Sequence, residues 1–250
     1  MQTTPATNTS RILIKPGFVW DRQDAYLFDI DGTLLRSRDR IHMDSFIPSI
    51  RRVTGFDVSL DGIPIHGSTD TAILREAFRQ AAIPAEVIEP QFEAILEAMR
   101  KSVAEQREQM ELRLMPGVKD ALHHLAEMDA LLGLATGNLE AIGWVKVEVA
   151  GLREWFRFGG FSDRFPVRSE LVGAAARKAR ELAGAQSTVC VVGDTPRDIE
   201  AAHANSLPVI AVATGNFTFD ALAELGPEVC ASSLADLLAW PRHDCLGDGQ

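Results

Sequence analysis

The chain has 250 residues, of which 46% are hydrophobic and 24% are charged, a composition that is typical of a folded globular protein and excludes a largely disordered chain. Lys and Arg number 25 against 35 Asp and Glu, so the net charge of −10 opposes binding to nucleic acid or to an anionic membrane. The length suits one large domain or a core with a smaller inserted unit.

The first residues predict a leader without a targeting signal. Thr, Pro, Asn and Ser dominate residues 1–15, which we therefore expect to be flexible. This segment lacks the apolar centre of a secretory signal, and the chain has no apolar run of roughly 18 residues that would span a membrane. The three cysteines form no Cys-x-x-Cys pair, so neither a disulfide framework nor a zinc site is indicated. We expect a cytoplasmic protein.

Four apolar runs predict the strands of a buried sheet. Each run ends in a turn of glycine and small polar residues. The runs begin at Ala25, Leu131, Ser187 and Leu207. Continuous apolar runs are typical of parallel strands that are covered on both faces. Helical patterns lie at residues 118–128, 169–184 and 198–205. The alternation predicts an open α/β sheet of Rossmann-like type, with functional residues beyond the carboxyl ends of the strands.

The region from about residue 38 to residue 113 breaks this alternation. Helical patterns cover residues 69–82 and 90–111, with no convincing buried strand between them. We therefore predict an α/β core formed by residues 16–37 and 114–250, with residues 38–113 inserted into it as a mostly helical unit.

Two carboxylates follow the first strand. Asp29 and Asp31 are separated by one residue, so on an extended chain they point to the same side. One carboxylate can attack an electrophile such as phosphorus, while the other, when protonated, delivers a proton to the leaving oxygen. An Asp-Gly pair is also a common turn signal, so the dipeptide alone leaves a structural interpretation open.

The third run ends in the segment GDTPRD, which predicts a cation site. Asp194 at the strand end is a hard oxygen ligand of the kind that Mg²⁺ prefers. Asp198 has two interpretations, because it lies three residues after Thr195 and also fits a capping box at the start of a helix.

The second run ends in Thr136, Gly137 and Asn138. A hydroxyl group and adjacent backbone N–H groups at the start of a helix form a phosphate-sized anion site. The motif is weak by itself, and a simple loop is the alternative. The same Ala-Thr-Gly-Asn sequence recurs at residues 213–216, which indicates how easily the pattern arises.

In their order along the chain, the motifs DIDGT, TGN, a basic residue and GDTPRD resemble those of the haloacid dehalogenase-like hydrolase superfamily. The resemblance covers the chain from about Phe18 to the C-terminal region. The helical insertion is similar to the cap domain of the phosphoglycolate phosphatase-like branch. The resemblance implies a Mg²⁺-dependent phosphatase that acts on a small soluble phosphate ester.

The resemblance also implies roles for individual residues. Asp29 would be the nucleophile that forms an aspartyl-phosphate, and Asp31 would be the general acid/base. The Asp29 carboxylate, the Asp31 backbone carbonyl and the Asp194 carboxylate would hold Mg²⁺, with Asp198 in a supporting contact. Thr136 would bind the transferring phosphoryl group.

A basic residue and the insertion complete the implied site. The family usually places a lysine before the last motif, and Arg168 takes that place here, with Arg164 as the alternative. Arginine keeps its charge and can hold phosphate oxygens, so the electrostatic role survives. Within the insertion, His66 and Asp70 are candidate substrate contacts, although their segment also fits an ordinary helix cap.

Two alternative functions remain open at this point. A phosphomutase uses the same pair of aspartates and differs in how its cap shields the intermediate from water. A binding module could retain the fold without catalysis. The intact carboxylates Asp29, Asp31 and Asp194 favour an enzyme.

Overall fold

The structure is a computed structural model that describes residues 10–240. Its strands are β1 (Ile12–Ile14), β2 (Ala25–Phe28), β3 (Leu35–Ser37), β4 (Leu112–Leu114), β5 (Leu131–Ala135), β6 (Gly159–Gly160), β7 (Val189–Gly193), β8 (Val209–Val212) and β9 (Val229–Ala231). Its α-helices are α1 (Ile41–Asp44), α2 (Phe46–Thr54), α3 (Asp70–Gln80), α4 (Ala85–Ile88), α5 (Phe92–Glu105), α6 (Val118–Glu127), α7 (Glu140–Val149), α8 (Arg168–Ala183), α9 (Pro196–Ala204), α10 (Phe219–Ala223) and α11 (Leu234–Ala239). Within residues 10–240, every helix is too short or too polar to cross a lipid bilayer.

A seven-stranded sheet forms the centre of the fold, with the strand order β1-β9-β8-β7-β2-β5-β6. Neighbouring strands are parallel, except that β1 is antiparallel to β9. The four predicted apolar runs become β2, β5, β7 and β8, and the three helical patterns between and after them become α6, α8 and α9. The predicted α/β fold class is confirmed.

Strand β2 lies between β5 and β7 and is buried on both faces. Tyr26 and Phe28 pack into the apolar cluster on one face, whereas Ala25 and Leu27 pack into the cluster on the other. This double burial explains why the sequence shows a continuous apolar run instead of an alternating one. It also fixes the end of β2, from which Asp29 projects.

The predicted flexible leader is wrong for its last residues. Ile12–Ile14 form β1 at the edge of the sheet, and the Lys15 ammonium contacts a Glu228 carboxylate oxygen at 2.8 Å. Ile12 and Ile14 pack against the core, because a short Ile-Leu-Ile alternation is sufficient for an edge strand even within a polar segment. Residues 1–9 of the predicted leader lie outside the described residues.

The segment between β3 and β4 is helical and contains α1 to α5. We call residues 38–111 the helical segment. Its helices pack around an apolar cluster of their own, which includes Phe46, Leu74 and Met99. The cluster extends to Ile142 of α7, so the helical segment rests directly on the α/β core.

Strands β3 and β4 were not predicted. They pair antiparallel, with Leu35 opposite Leu114, so the chain enters and leaves the helical segment at one place. Each strand has only three residues and carries an exposed arginine at its centre, Arg36 or Arg113. Neither strand therefore forms a continuous apolar run in the sequence.

Substitution of the central strand should cost far more stability than substitution of the edge strand. Leu27→Ala removes a fully buried side chain and is expected to lower the free energy of unfolding by about 2–5 kcal/mol. Leu13→Ala in β1 is the matched control, because Leu13 is 55% exposed and should lose only about 0.5 kcal/mol. Urea denaturation measures both values, and equal losses would contradict the described burial.

Candidate active site

The loops that follow β2, β5, β7 and β8 meet at one edge of the sheet, under the helical segment. Together they enclose a cavity of about 270 Å³. The structure brings nearly all of the predicted site residues to this cavity: Asp29, Asp31, His66, Asp70, Thr136, Gly137, Asn138, Arg168 and Asp194. Asp198 lies directly behind the lining, in contact with Arg168. Because parallel strands share a carboxyl edge, residues far apart in sequence meet here.

Arg168 joins two of the predicted carboxylates. Its Nη2 atom lies 2.9 Å from Asp29 Oδ1 and 2.6 Å from Asp198 Oδ1, and all three side chains are buried. Burial by itself lowers the pKa of Arg168, but the carboxylates of Asp198 and Asp29 outweigh this effect and raise it. Arg164, the alternative in the sequence, is exposed. Of the two candidates, Arg168 is therefore the one that contacts Asp29.

Three buried carboxylates form a cluster that suits a metal ion. Ligand atoms of Asp29, Asp194 and Asp198 lie within 4.8 Å of one another. Burial raises the pKa of Asp29 and of Asp194, and Arg168 opposes the shift. Neighbouring carboxylates add to it: Asp198 and Asp31 raise the pKa of Asp29, and Asp29 and Asp198 raise that of Asp194. One guanidinium does not balance three carboxylates, so the cluster favours an added divalent cation. Oxygen donors of this kind match Mg²⁺.

Asp198 is already engaged on both of its carboxylate oxygens. Oδ1 accepts hydrogen bonds from Arg168, and Oδ2 accepts them from the backbone N–H of Thr195 at 3.0 Å and from its hydroxyl at 2.7 Å. Thr195 and Asp198 form the predicted capping box at the start of α9. Asp198 thus both caps α9 and holds Arg168. Of the three clustered carboxylates, Asp29 and Asp194 are therefore the two that remain available to a metal ion.

The second Ala-Thr-Gly-Asn sequence also lies at the site. A Cβ atom at Gly215 would collide with the Asp194 carboxylate, so only glycine allows this approach. The Thr214 hydroxyl donates a hydrogen bond to the carbonyl of Gly32 at 2.6 Å, and the Asn216 amide contacts the His66 ring at 2.9 Å. The repeat is therefore not coincidental, and its place beside Asp194 depends on the strand order, which the local sequence does not indicate.

Asp31 faces the cavity and has a different environment from Asp29. Its side chain is 42% exposed, and Asn138 Nδ2 donates to its Oδ2 atom at 2.8 Å. The Lys146 ammonium lies 2.6 Å from Oδ2 and 2.8 Å from Oδ1. Removal from bulk water raises the pKa of Asp31, but the nearby Lys146, His42 and Asn138 side chains together outweigh this effect and lower it.

Sequence reasoning missed Lys146 and His42. Lys146 is almost fully buried on α7, where its ammonium lies 2.7 Å from Asn138 Oδ1 and 3.0 Å from His42 Nδ1. The one available signal was a lysine between two valines in an otherwise apolar part of a helix. His42 belongs to the helical segment, and nothing in its local sequence indicates that it reaches the core.

Asp70 lies beside the cavity, but its carboxylate is engaged by the protein. Oδ2 accepts a hydrogen bond from the backbone N–H of Leu139 at 2.8 Å and contacts His42 Nε2 at 3.1 Å. Thr69 forms the N-cap of α3, which was the structural interpretation of this segment. These contacts favour a structural role for Asp70, and its contact with a substrate stays a prediction.

The helical segment closes over the turn that follows β5. The carbonyl of Ser68 approaches Gly137 so closely that a Cβ atom at this glycine would collide with it. Arg168 Nη1 donates to the carbonyl of Gly67 at 3.1 Å, and Arg100 pairs with Asp163 of the core at 2.6 Å. The cavity therefore lies between the helical segment and the sheet edge.

Known proteins share this architecture. CbbY from Rhodobacter sphaeroides, solved in complex with phosphate, superposes with a TM-score of 0.59 at 18% identity over 86% of this chain and 99% of its own. A protein from Bacteroides vulgatus that carries the provisional name β-phosphoglucomutase also gives 0.59, at 20% identity over 86% of each chain. At these identities the two structures establish the fold alone.

Similarity in sequence adds evidence on the family of the chain. A phosphoglycolate phosphatase from Agrobacterium fabrum is 25% identical over 84% of this chain and 89% of its own length. The family model described as haloacid dehalogenase-like hydrolase matches residues 23–205. These findings confirm the predicted family and the prediction of a phosphatase-type enzyme: the chain belongs to the haloacid dehalogenase-like hydrolases.

Proposed function

We propose that the protein is a Mg²⁺-dependent phosphatase that cleaves a small phosphate monoester through an aspartyl-phosphate on Asp29. The observation that carries the proposal is the pair of carboxylates at the end of β2, which share one cavity but have different partners. Asp29 contacts Arg168 within the acidic cluster, whereas Asp31 faces the cavity beside Asn138. Two carboxylates in different environments suit two different chemical roles.

In the first step, a carboxylate oxygen of Asp29 attacks the phosphorus atom, and the bond between phosphorus and the leaving oxygen breaks. Asp31 gives its proton to that oxygen, so the product leaves as an alcohol. The phosphate dianion lies beside Asp31 in the complex, and its negative charge favours the protonated form of this carboxyl group. Arg168 keeps Asp29 oriented and places a positive charge beside the reacting groups.

In the second step, Asp31 removes a proton from water, and the water oxygen attacks the phosphorus of the aspartyl-phosphate. The bond from phosphorus to Asp29 breaks, which releases inorganic phosphate, restores the Asp29 carboxylate and leaves Asp31 protonated as at the start of the cycle. Thr136, Gly137 and Asn138 lie at the cavity, where hydroxyl and backbone N–H groups would bind the phosphoryl oxygens. The Asn138 side-chain amide instead donates to Asp31 and to the Thr136 hydroxyl.

The carboxylates of Asp29 and Asp194, with the backbone carbonyl of Asp31, would hold Mg²⁺. The acidic cluster supports this assignment because its negative charge is only partly balanced by Arg168. Bound Mg²⁺ would supply charge neutralisation between an anionic nucleophile and an anionic phosphate. Asp198, engaged by Thr195 and Arg168, would support the cluster from behind.

We further propose that residues 38–113 act as a cap that limits the size of the substrate. A cavity of about 270 Å³ lies just below the usual range for ligand sites, which is about 300–1,000 Å³. This volume favours a phosphate ester with a leaving group of a few carbon atoms. Phosphoglycolate, the substrate in the name of the Agrobacterium relative, belongs to this size class.

Asp29→Asn should abolish turnover. We expect the wild-type protein to hydrolyse members of a panel of small phosphate esters, including phosphoglycolate and an aryl phosphate, only when Mg²⁺ is present. The amide that replaces the carboxylate in this variant is not a nucleophile, so phosphate release should fall to the background rate. Asp120→Asn, at an exposed position on α6, is the matched control and should keep wild-type rates.

Three outcomes would contradict this proposal. Metal-independent hydrolysis would remove the role of Mg²⁺, and wild-type turnover by Asp29→Asn would remove the nucleophile. Conversion of a sugar phosphate to its isomer without phosphate release would identify a phosphomutase.

Asp31→Asn should separate metal binding from proton transfer. Asparagine retains the backbone carbonyl but can neither donate nor accept the catalytic proton, so kcat is expected to fall by about 10²- to 10⁴-fold. Mg²⁺ affinity, measured by calorimetry, should stay close to that of the wild type. Near-normal phosphatase activity in this variant would refute the acid/base assignment.

Asp194→Asn should weaken Mg²⁺ binding, with a readout that does not require turnover. At Mg²⁺ concentrations near 100 times Kd, the wild-type free energy of unfolding should rise by about 2.7 kcal/mol. The variant should show a much smaller increase, because it loses one of two open carboxylates. The Asp120→Asn control should respond like the wild type, and an unchanged response in Asp194→Asn would place the metal elsewhere.

A further inference from the structure

We propose that Lys146 is a positioning residue that fixes the orientation of the Asp31 carboxylate. The proposal deepens the phosphatase function proposed above and depends on that function for its kinetic test. It gives each of the paired carboxylates a cation of its own, with Arg168 on Asp29 and Lys146 on Asp31.

The exposed fractions of the two side chains indicate that the ion pair of Lys146 and Asp31 does not serve to neutralise a buried acid. The Lys146 side chain is 3% exposed, whereas its partner Asp31 is 42% exposed. The Asp31 carboxylate is partly withdrawn from bulk water but still open to the cavity, whereas the buried ammonium carries the larger desolvation cost. Replacing such pairs by apolar side chains is often neutral or stabilising. Stability alone therefore does not explain Lys146.

The helix that carries Lys146 supports the same conclusion. Positions three and four residues apart share one face of a helix, so Ile142 and Val149 flank Lys146 on its own face of α7. Both pack into the apolar cluster of the helical segment. An apolar side chain at position 146 would continue this face, and the lysine interrupts it at the point nearest to Asp31.

The contacts of the ammonium restrict the position of Asp31. Lys146 Nζ lies within hydrogen-bond distance of both Asp31 oxygens, of Asn138 Oδ1 at 2.7 Å and of His42 Nδ1 at 3.0 Å. Asn138 Nδ2 in turn donates to Asp31 Oδ2 at 2.8 Å. The ammonium and the amide thus form a ring of contacts around the carboxylate, and rotation of Asp31 would break several of them at once.

The helical segment fixes Lys146 from the other side. Lysine only donates hydrogen bonds, so a hydrogen bond from Lys146 to His42 Nδ1 requires the tautomer with the ring proton on Nε2. That proton points to Asp70 Oδ2 at 3.1 Å, and the same oxygen accepts from the Leu139 backbone N–H. Asp70 therefore orients His42, and His42 orients Lys146. The buried Asp70 carboxylate thus has a positioning role that does not require contact with a substrate.

The kinetic test compares Lys146→Met with Lys178→Met, a control at an exposed lysine on α8. Loss of positioning should lower kcat by about 10²-fold, since small displacements of a reacting group have effects of this size. KM for an aryl phosphate and inhibition by inorganic phosphate should change by no more than about twofold. Lys178→Met should match the wild type.

A double-mutant cycle shows whether Lys146 acts through Asp31. In an Asp31→Asn background, Lys146→Met should cause no further loss beyond about twofold, because the group that it positions is already absent. A residue with a merely structural role would lower activity equally in both backgrounds. Thermal unfolding of Lys146→Met should show a folded protein, and Lys146→Gln provides a second uncharged variant if the first does not fold.

A crystal structure of Lys146→Met tests the proposal without any activity. The Asp31 carboxylate should leave its contact with Asn138 or become disordered, while Asp29 stays on Arg168. An unchanged Asp31 carboxylate, or a kcat within about twofold of the wild type, would overturn the proposal. A wild-type protein without phosphatase activity would instead refute the proposed function, and the crystallographic result would still decide the role of Lys146.

Discussion

Buried negative charge at the edge of the sheet is the constraint on which the rest of this structure depends. Asp29, Asp194 and Asp198 lie together away from water, where carboxylates repel one another and lose their hydration. Arg168 relieves this repulsion in part, and the capping box of α9 engages both oxygens of Asp198. What remains unbalanced is a pair of open carboxylates, and this residual charge is what makes the site suitable for a divalent cation.

The fold supplies the geometry that local sequence does not. Because β2 is hydrogen-bonded to both β5 and β7, the three turns that follow these strands are neighbours by necessity. The helical segment then lies over them, with backbone atoms of Gly67 and Ser68 in contact with Arg168 and Gly137. Both the loops at the sheet edge and the helical segment therefore line the cavity, and neither of them encloses it alone.

Several of the residues that were predicted from the sequence directly follow a recognisable strand. Asp29, Thr136 and Asp194 could be located for this reason, since an apolar run fixes where its polar turn will lie. Lys146 and His42 lie within helices, and only tertiary packing shows that Lys146 contacts Asp31 and that His42 contacts Lys146. Strands as short as β1, β3 and β4 escaped notice because their stability comes from their partners and not from their own three residues.

Because β3 pairs antiparallel with β4, the helical segment leaves and rejoins the core at one place, as an inserted unit. Since Leu35 lies opposite Leu114, the two points where the chain crosses into and out of the segment are about one strand spacing apart. Residues 38–111 could be exchanged for another helical unit, or shortened to a tight turn, without changing the order of any strand in the main sheet. The segment that selects the substrate can thus change without a change in the strand order, provided that its replacement again supplies a contact such as that of His42 with Lys146.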